Sequence, residues 1–224
     1  MSLYAIGDVH GCARTLEDLL DRLALTSEDH LVFVGDYTDR GPSSKDVVDR
    51  LIKLEKASAD GTGPRCTFLR GNHDQMMIDY IERGDFALWR ANGGLETLAS
   101  YAEGGQAHFP DGHYDFLART RLYLDTPDFC FVHAGLKPHF TVADNLRHET
   151  ADTFLWTREH LGVAERAWEK PVVCGHTPQA RPINEPDLIG IDTGCVYAGH
   201  PDYGTLTAVR LPEREFTSVP YVDF

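Results

Sequence analysis

The sequence predicts an α/β fold, and two observations lead to that prediction. Short β-favouring runs recur along the chain, and most are too apolar for a sheet with one exposed face, which is typical of strands buried on both faces of a covered sheet. These runs lie at 3–6, 31–34, 66–69, 129–132 and 172–174, with further strands expected around 188–191, 204–210 and 215–219. Between the early runs, apolar residues repeat at helical spacing, and the predicted helices lie at 12–25, 43–57 and 73–82. The early part of the chain therefore reads β-α-β-α-β-α.

Length and composition predict one globular domain over residues 1–224, because 42% of the residues are hydrophobic and 25% are charged. No apolar run is long enough to cross a bilayer, and the first residues lack a basic head with an apolar stretch. We therefore expect a cytoplasmic protein with no membrane partner. Five scattered cysteines, an odd number without a C-x-x-C pair, predict reduced thiols.

The net charge of −14 repels polyanions, and the basic residues do not form a stripe. Nucleic acid is therefore excluded as an expected partner. An anionic substrate would need a local reversal of this field, which metal ions and nearby arginines can supply.

A potential metal ligand follows each of five predicted strands. In an open α/β sheet, ligands collect outside the carboxyl ends of the strands, so these side chains should converge. In chain order they are Asp8 and His10, Asp36, Asn72 and His73, His133, and His176. The remaining histidines lack this placement and are expected at the surface or in loops: His30, His108, His113, His139, His148, His160 and His200.

The donor atoms indicate which ions such a site would hold. Without His73, the set has two aspartates, three histidines and one asparagine, which offer oxygen and imidazole nitrogen but no thiolate and suit manganese, iron or zinc. Six ligands fit two ions that share a bridging carboxylate, an arrangement that recurs in phosphatases. Glycines precede Asp8, Asp36, Asn72 and His176, where they permit tight turns or positive φ.

Five motifs in order carry a resemblance to a known family. They are Asp8-Val9-His10, GDYTDRG at 35–41, GNHD at 71–74, VHAG at 132–135 and GHT at 175–177. Together they resemble the signature of the calcineurin-like metallophosphoesterases, and more narrowly that of the compact bacterial and phage serine/threonine phosphoprotein phosphatases. The resemblance implies a four-layer αββα sandwich of two mixed sheets flanked by helices.

The resemblance also implies the roles of the metal ligands. Asp8, His10 and Asp36 would hold the first ion, and Asp36 would bridge to the second. The second ion would be held by Asp36, Asn72, His133 and His176. The family implies two divalent ions, with Mn²⁺ preferred and iron or zinc as alternatives.

Four further residues receive roles from the same resemblance. His73 would protonate the leaving group as the general acid, and Asp39 would orient its imidazole. Arg40 would clamp the phosphate, and Arg158, in Leu155-Trp156-Thr157-Arg158, looks like a second phosphate-binding arginine. Forked guanidinium donors match phosphate geometry.

The function implied is metal-dependent hydrolysis of a phosphoric monoester by activated water. Dinucleoside tetraphosphate hydrolases typically lack the aspartate of the DRG triplet, so Asp39 favours a serine/threonine phosphoprotein phosphatase acting on phosphorylated proteins. The alternative is a symmetrical dinucleoside tetraphosphate hydrolase or another phosphoesterase of small molecules. The motifs GNHD and VHAGL are shared with the dinucleoside tetraphosphate hydrolases, and Asp74 stands where the phosphoprotein phosphatases more often have glutamate. A catalytically inactive binding scaffold would have lost a ligand, and every expected ligand is present.

Overall fold

The computed structural model describes residues 2–224, and its strands and helices alternate through most of the chain. The first elements are β1 (Leu3–Ile6), α1 (Ala13–Leu23), β2 (His30–Phe33), α2 (Ser44–Ala59), β3 (Arg65–Phe68), α3 (Asn72–Arg83), α4 (Phe86–Ala91), α5 (Gly94–Ser100), β4 (Ala102–Glu103), β5 (Gln106–Ala107) and α6 (Asp111–Ala118). The remaining elements are β6 (Tyr123–Asp125), β7 (Cys130–Val132), α7 (Val142–His148), α8 (Ala151–Trp156), β8 (Val172–Cys174), β9 (Ile183–Asn184), β10 (Leu188–Gly190), β11 (Thr205–Leu211) and β12 (Glu215–Pro220).

Two five-stranded mixed sheets organise residues 2–224. The first has the order β12-β11-β1-β2-β3, in which β1, β2 and β3 are parallel and β11 and β12 run antiparallel to their neighbours. The second has the order β6-β7-β8-β10-β9, with β7, β8 and β10 parallel between two antiparallel edge strands. The carboxyl ends of parallel strands lie on the same side of a sheet, so several strand-to-loop turns gather on one side of each sheet.

Side chains from successive residues of a strand enter different apolar layers. In β2, Leu31 and Phe33 join the cluster that contains residues of α1 and α2, whereas Val32 joins a cluster made of residues from both sheets. In β7, Phe131 faces that inter-sheet cluster, and Val132 packs with residues of α7 and α8. The layers are therefore helix, sheet, sheet and helix, which confirms the predicted αββα sandwich and explains why these strands are apolar throughout.

The predicted strands are all present, with ends shifted by a residue or two. The structure adds three short strands that the sequence did not predict, β4 and β5, which form a hairpin, and β9. Each has two residues, which is too short to leave a periodic pattern. All five cysteines are free thiols. Within residues 2–224, no helix has both the length and the apolar character that crossing a membrane requires.

The expectation that the other histidines lie at the surface or in loops is wrong for two of them. His30 in β2 and His113 in α6 are buried, whereas His160, which is also buried, does lie in the loop after α8. His30 Nε2 lies 3.0 Å from Thr67 Oγ1, and the His113 ring lies between Tyr101 and Asp49. Partners distant in sequence satisfy these polar atoms, and single-residue placement does not reveal such partners.

Candidate metal centre

Residues that follow the parallel strands of the first sheet contact residues that follow the parallel strands of the second sheet. His133, at the end of β7 in the second sheet, contacts two groups of the first sheet's edge: its Nδ1 is 2.9 Å from Val34 O and its Nε2 is 2.9 Å from Asn72 Oδ1. His176, which follows β8, lies against Asn72 and Asp8. The predicted convergence of strand-end residues is therefore present in the structure.

Asp36 lies at the middle of this convergence. Its Oδ2 is 3.5 Å from His10 Nε2, and its Oδ1 is 3.5 Å from His133 Nε2. The ligand atoms of His10, Asp36 and His73 lie within 4.8 Å of one another, and so do those of Asp36, His133 and His176. Two groups of donors therefore share one carboxylate, which is the geometry that a bridging aspartate needs.

Backbone carbonyls fix which ring nitrogen each histidine presents to Asp36. His10 Nδ1 donates to Thr38 O at 2.9 Å, and His133 Nδ1 donates to Val34 O at 2.9 Å. Each Nε2 is then left with a lone pair. Burial lowers the pKa of both imidazoles, so the neutral form that binds a metal is favoured.

Asn72 and His176 add further acceptor atoms on the His133 side. Asn72 Oδ1 lies 2.9 Å from both His133 Nε2 and His176 Nδ1, and His176 Nε2 has no hydrogen-bond partner within residues 2–224. Burial lowers the pKa of His176 to about 2. Convergent lone pairs and a bare imidazole nitrogen suit a cation, so the oxygen and nitrogen donors fit a divalent metal.

Asp8 lies beside His176 and outside the tighter donor groups. Its two carboxylate oxygens accept the backbone N–H of His176 at 3.0 and 3.2 Å. Burial raises the pKa of Asp8 well above its usual value, and the nearby charges of Asp192 and Asp36 raise it further. A cation at this point would offset the repulsion among these carboxylates. The donor group around His10 and Asp36 contains His73 as its third member, whereas the sequence predicted Asp8 there.

The backbone of the site is held in an uncommon conformation. His10, Asp36 and His176 have positive φ of 45°, 53° and 67°, and L-residues adopt this region only when their surroundings enforce it. Glycines precede Asp36 and Asn72 for two different reasons. Gly35 has a positive φ of 109°, whereas a Cβ on Gly71 would meet the Asp36 side chain, so Gly71 is required by close approach.

His73 and Asp39 form a buried pair in which both oxygens of the aspartate are hydrogen-bonded. His73 Nδ1 lies 2.7 Å from Asp39 Oδ2. The other carboxylate oxygen, Oδ1, accepts Trp89 Nε1–H at 2.8 Å and Thr97 Oγ1–H at 2.7 Å. Trp89 in α4 and Thr97 in α5 therefore fix the aspartate that orients His73. No sequence signal marks either residue, because each acts through a contact that only the folded chain creates.

Two arginines lie at the rim. Arg40 is half-buried, and its Nη1 donates to His10 Nε2 at 2.7 Å. Arg158 is exposed, and its Nε donates to Thr177 Oγ1 at 3.2 Å, next to His176. Arg40 therefore contacts the donor residue His10 directly, whereas Arg158 contacts Thr177, the residue after the donor His176.

Asp74 has a structural role that the sequence analysis missed. Its carboxylate accepts three backbone N–H groups, those of Asp36, Tyr37 and Gly71, each at 2.9 Å. Asp74 therefore ties the loop after β2 to the start of α3. The shorter aspartate side chain suits this position, although the related phosphatases more often have glutamate there.

Asp192 is a second residue that the sequence analysis missed. It follows β10, is 4% exposed, and accepts the backbone N–H of Gly194 at 2.9 Å. Burial raises the pKa of Asp192 to about 7, and Asp36 adds to that shift. The signal was present, since an acid directly after the predicted strand at 188–191 repeats the pattern seen after the earlier strands.

Comparisons with known proteins agree with this geometry. The family model of the calcineurin-like phosphoesterases matches residues 1–207. The bis(5′-nucleosyl)-tetraphosphatase PrpE, asymmetrical, of Oceanobacillus iheyensis is 30% identical, over 98% of this chain and 92% of that protein.

Two solved structures share the fold. A crystal structure provisionally described as a diadenosine tetraphosphatase superposes with a TM-score of 0.72 at 25% identity, covering 100% of this chain and 95% of the other. A protein serine/threonine phosphatase from Saccharomyces cerevisiae superposes with a TM-score of 0.69 at 16% identity, covering 100% of this chain and 81% of the other. At that lower identity the second likeness concerns the fold alone.

Proposed function

This chain belongs to the calcineurin-like phosphoesterase family, and from that premise we propose that its substrate is a dinucleoside tetraphosphate. It is a hydrolase of the metallophosphoesterase type. The observation that carries the substrate class is the match over nearly the full length of both proteins to a relative named an asymmetrical bis(5′-nucleosyl)-tetraphosphatase. The comparisons thus favour the small-molecule alternative over the phosphoprotein phosphatase that Asp39 suggested.

The proposed metal ligands divide at Asp36. Asp8, His10 and Asp36 would hold one divalent ion, and Asp36 would be shared with the other. The second set is Asp36, Asn72, His133 and His176. When bound, the two ions supply charge neutralisation and an activated water. Mn²⁺ is the ion that we propose, with iron or zinc compatible with the same donors.

His73 is the proposed proton donor. Its Nδ1 is held by Asp39, so its Nε2 is the atom that would deliver a proton to the departing phosphate oxygen. Trp89 and Thr97 keep Asp39 in place and thereby fix the direction of the imidazole. We propose that Arg40 and Arg158 hold phosphate oxygens, since a protein with a net charge of −14 needs local cations to receive a polyanion.

The proposed reaction is the hydrolysis of one phosphoanhydride bond. The water oxygen forms a bond to one phosphorus as the bond from that phosphorus to the bridging oxygen breaks, and one water proton is released to solvent. The bridging oxygen leaves on the other phosphoryl chain and would take its proton from His73. Asymmetrical cleavage of diadenosine tetraphosphate yields ATP and AMP, whereas symmetrical cleavage, the form considered from the sequence, yields two ADP. The name of the relative favours the asymmetrical products.

A phosphoprotein substrate is the second candidate, and one observation favours it. The His73–Asp39 pair at 2.7 Å contains the aspartate that dinucleoside tetraphosphate hydrolases typically lack. Arg40 and Arg158 would hold the phosphate oxygens of a phosphoserine or phosphothreonine in the same way. We propose that residues 1–224 act as one domain in either case, since β11 and β12 complete the sheet that begins with β1.

A direct comparison of substrates tests this proposal. The manganese-loaded protein is supplied with diadenosine tetraphosphate or with a phosphothreonine peptide at equal concentration, and nucleotide products are separated by ion-exchange chromatography. We expect a higher kcat/KM for diadenosine tetraphosphate, ATP and AMP as products, and loss of activity after chelation. Preference for the peptide would reject the substrate class, and two ADP would reject the cleavage position.

A further inference from the structure

A closed aromatic loop lies directly after Asp192. This loop, residues 194–204, begins and ends at glycines, and Gly204 N donates to Gly194 O at 3.0 Å. Inside it, the rings of His200 and Tyr203 stack with centroids 4.5 Å apart, and Tyr197 lies 6.1 Å from Tyr203. A compact loop whose ends meet and whose own side chains fill it is a common carrier of binding function.

Tyr197 connects this aromatic loop to the candidate metal centre. The Arg40 guanidinium carbon lies 5.6 Å from the centre of the Tyr197 ring, and the same guanidinium donates to His10 Nε2. The contact has cation–π geometry. Tyr197 is only half-buried, so part of a planar ring is open beside the arginine that we place on the substrate phosphate.

The chemistry of this position selects the ligand. Because Arg40 lies against the Tyr197 ring, a group attached to a phosphate held by Arg40 can lie on that ring. The ring offers a flat aromatic face without formal charge, which fits a planar, neutral, aromatic group. A nucleobase has that character, and base–aromatic stacking tolerates any base identity.

We propose that the aromatic loop is a nucleobase subsite in which Tyr197 stacks on one base of the substrate. This inference rests on the proposed function, because it takes a nucleoside phosphate as the ligand of the metal centre. Tyr203 and His200 act behind Tyr197 as packing that holds the ring in position. The subsite would give a nucleotide an advantage over the same phosphate chain without a nucleoside.

Two non-hydrolysable inhibitors separate the nucleoside from the phosphate chain. Each is measured as a competitive inhibitor of p-nitrophenyl phosphate hydrolysis by the manganese-loaded protein: α,β-methylene-ADP, and methylenediphosphonate, which lacks the nucleoside. The wild type should bind α,β-methylene-ADP more tightly. In Tyr197→Leu the ratio of the two inhibition constants should fall by about tenfold, the scale of one stacked base, whereas Tyr197→Phe should keep it.

The outcomes distinguish this subsite from its alternatives. Equal weakening of both inhibitors in Tyr197→Leu would mean that the ring only positions Arg40, and would overturn the proposal. A wild type without preference for the nucleotide would overturn it too, and that comparison needs no folded variant. A clear preference combined with no turnover of diadenosine tetraphosphate would support the subsite and reject the proposed substrate.

Discussion

His73 and His176 lie on the two sides of Asp36 and are treated differently by the surrounding chain. His73 Nδ1 is paired with Asp39 at 2.7 Å, and Asp39 is itself held by two more donors. His176 Nδ1 instead lies 2.9 Å from the neutral amide oxygen of Asn72, its Nε2 has no partner within residues 2–224, and burial lowers the pKa of His176 to about 2. The difference lies in the partner: His73, which we propose as the proton donor, is paired with a carboxylate, whereas His176, which we propose as a metal ligand, is paired with a neutral amide.

Replacing the residue common to both sides should have the largest effect. Asp36→Asn replaces the carboxylate shared by both proposed sites with a neutral amide, so we expect loss of both ions. Because each bound ion contributes several kcal/mol, kcat should fall by about 10⁴-fold or more. Metal content by mass spectrometry and kcat on p-nitrophenyl phosphate measure this. Asp223→Asn is a matched control, because Asp223 is also buried and accepts backbone N–H groups, those of Arg14 and Thr15. Two ions retained in Asp36→Asn would contradict the shared-ligand assignment.

The comparison itself is tested by exchanging one histidine at a time for asparagine. His73→Asn should lower kcat by about 10³-fold, as expected for a lost proton donor, with both ions still bound. His176→Asn should instead lower the metal content from two ions to one. Parallel metal analysis and kinetics separate the two effects.

A further buried histidine provides the control for this pair. His113 Nε2 lies 3.0 Å from Asp49, away from the metal centre. His113→Asn should therefore cost stability without changing metal content. Loss of metal in His73→Asn would mean that His73 is a ligand and that the contrast with His176 is wrong.

The hydrogen bonds behind His73 can be weakened singly. Trp89→Phe removes one donor from Asp39 and leaves Thr97 in place, so we expect kcat to fall by about tenfold, the lower range for a group acting behind a site. The KM and the metal content of this variant should stay unchanged. Trp168→Phe removes a comparable buried indole donor, to Lys137 O, and serves as the control. Equal losses of activity in the two variants would show that Trp89 acts through general packing.

Asp74 should affect stability more than chemistry. Its carboxylate accepts three backbone N–H groups, and Asp74→Asn replaces one oxygen with an amide that cannot accept them. We expect a loss of about 2 kcal/mol in the free energy of unfolding, the cost of a buried unpaired donor, with a smaller change in kcat than in Trp89→Phe. Urea denaturation measures the first quantity. An unchanged midpoint would remove Asp74 from this account.

The convergence of the proposed metal ligands could be predicted from the sequence because each follows a strand and the strands are parallel within each sheet. Asp8, Asp36 and His133 are positioned by the backbone of one strand each, so a local pattern locates them. Asp192 obeys the same rule and was missed although its strand was predicted. The αββα layers followed from the family resemblance and agree with strands that are apolar on both faces.

The supporting residues could not be predicted in this way. Trp89 and Thr97 act on Asp39 across about 50 to 60 residues of sequence, through contacts of α4 and α5 with the loop after β2. Tyr197 depends on how a closed loop places its ring against Arg40. Tertiary packing alone creates such pairs, and no periodicity or motif encodes them. The motifs GNHD and VHAGL left a dinucleoside tetraphosphate as an alternative substrate, and the preference that we propose for it rests on the comparisons.

Anomalous X-ray scattering from a manganese-soaked crystal is the most direct test of the two-ion centre. The account predicts two anomalous peaks that share the Asp36 carboxylate, one beside His10 and the other beside His133 and His176. A single peak, or manganese bound away from Asp36, would contradict it.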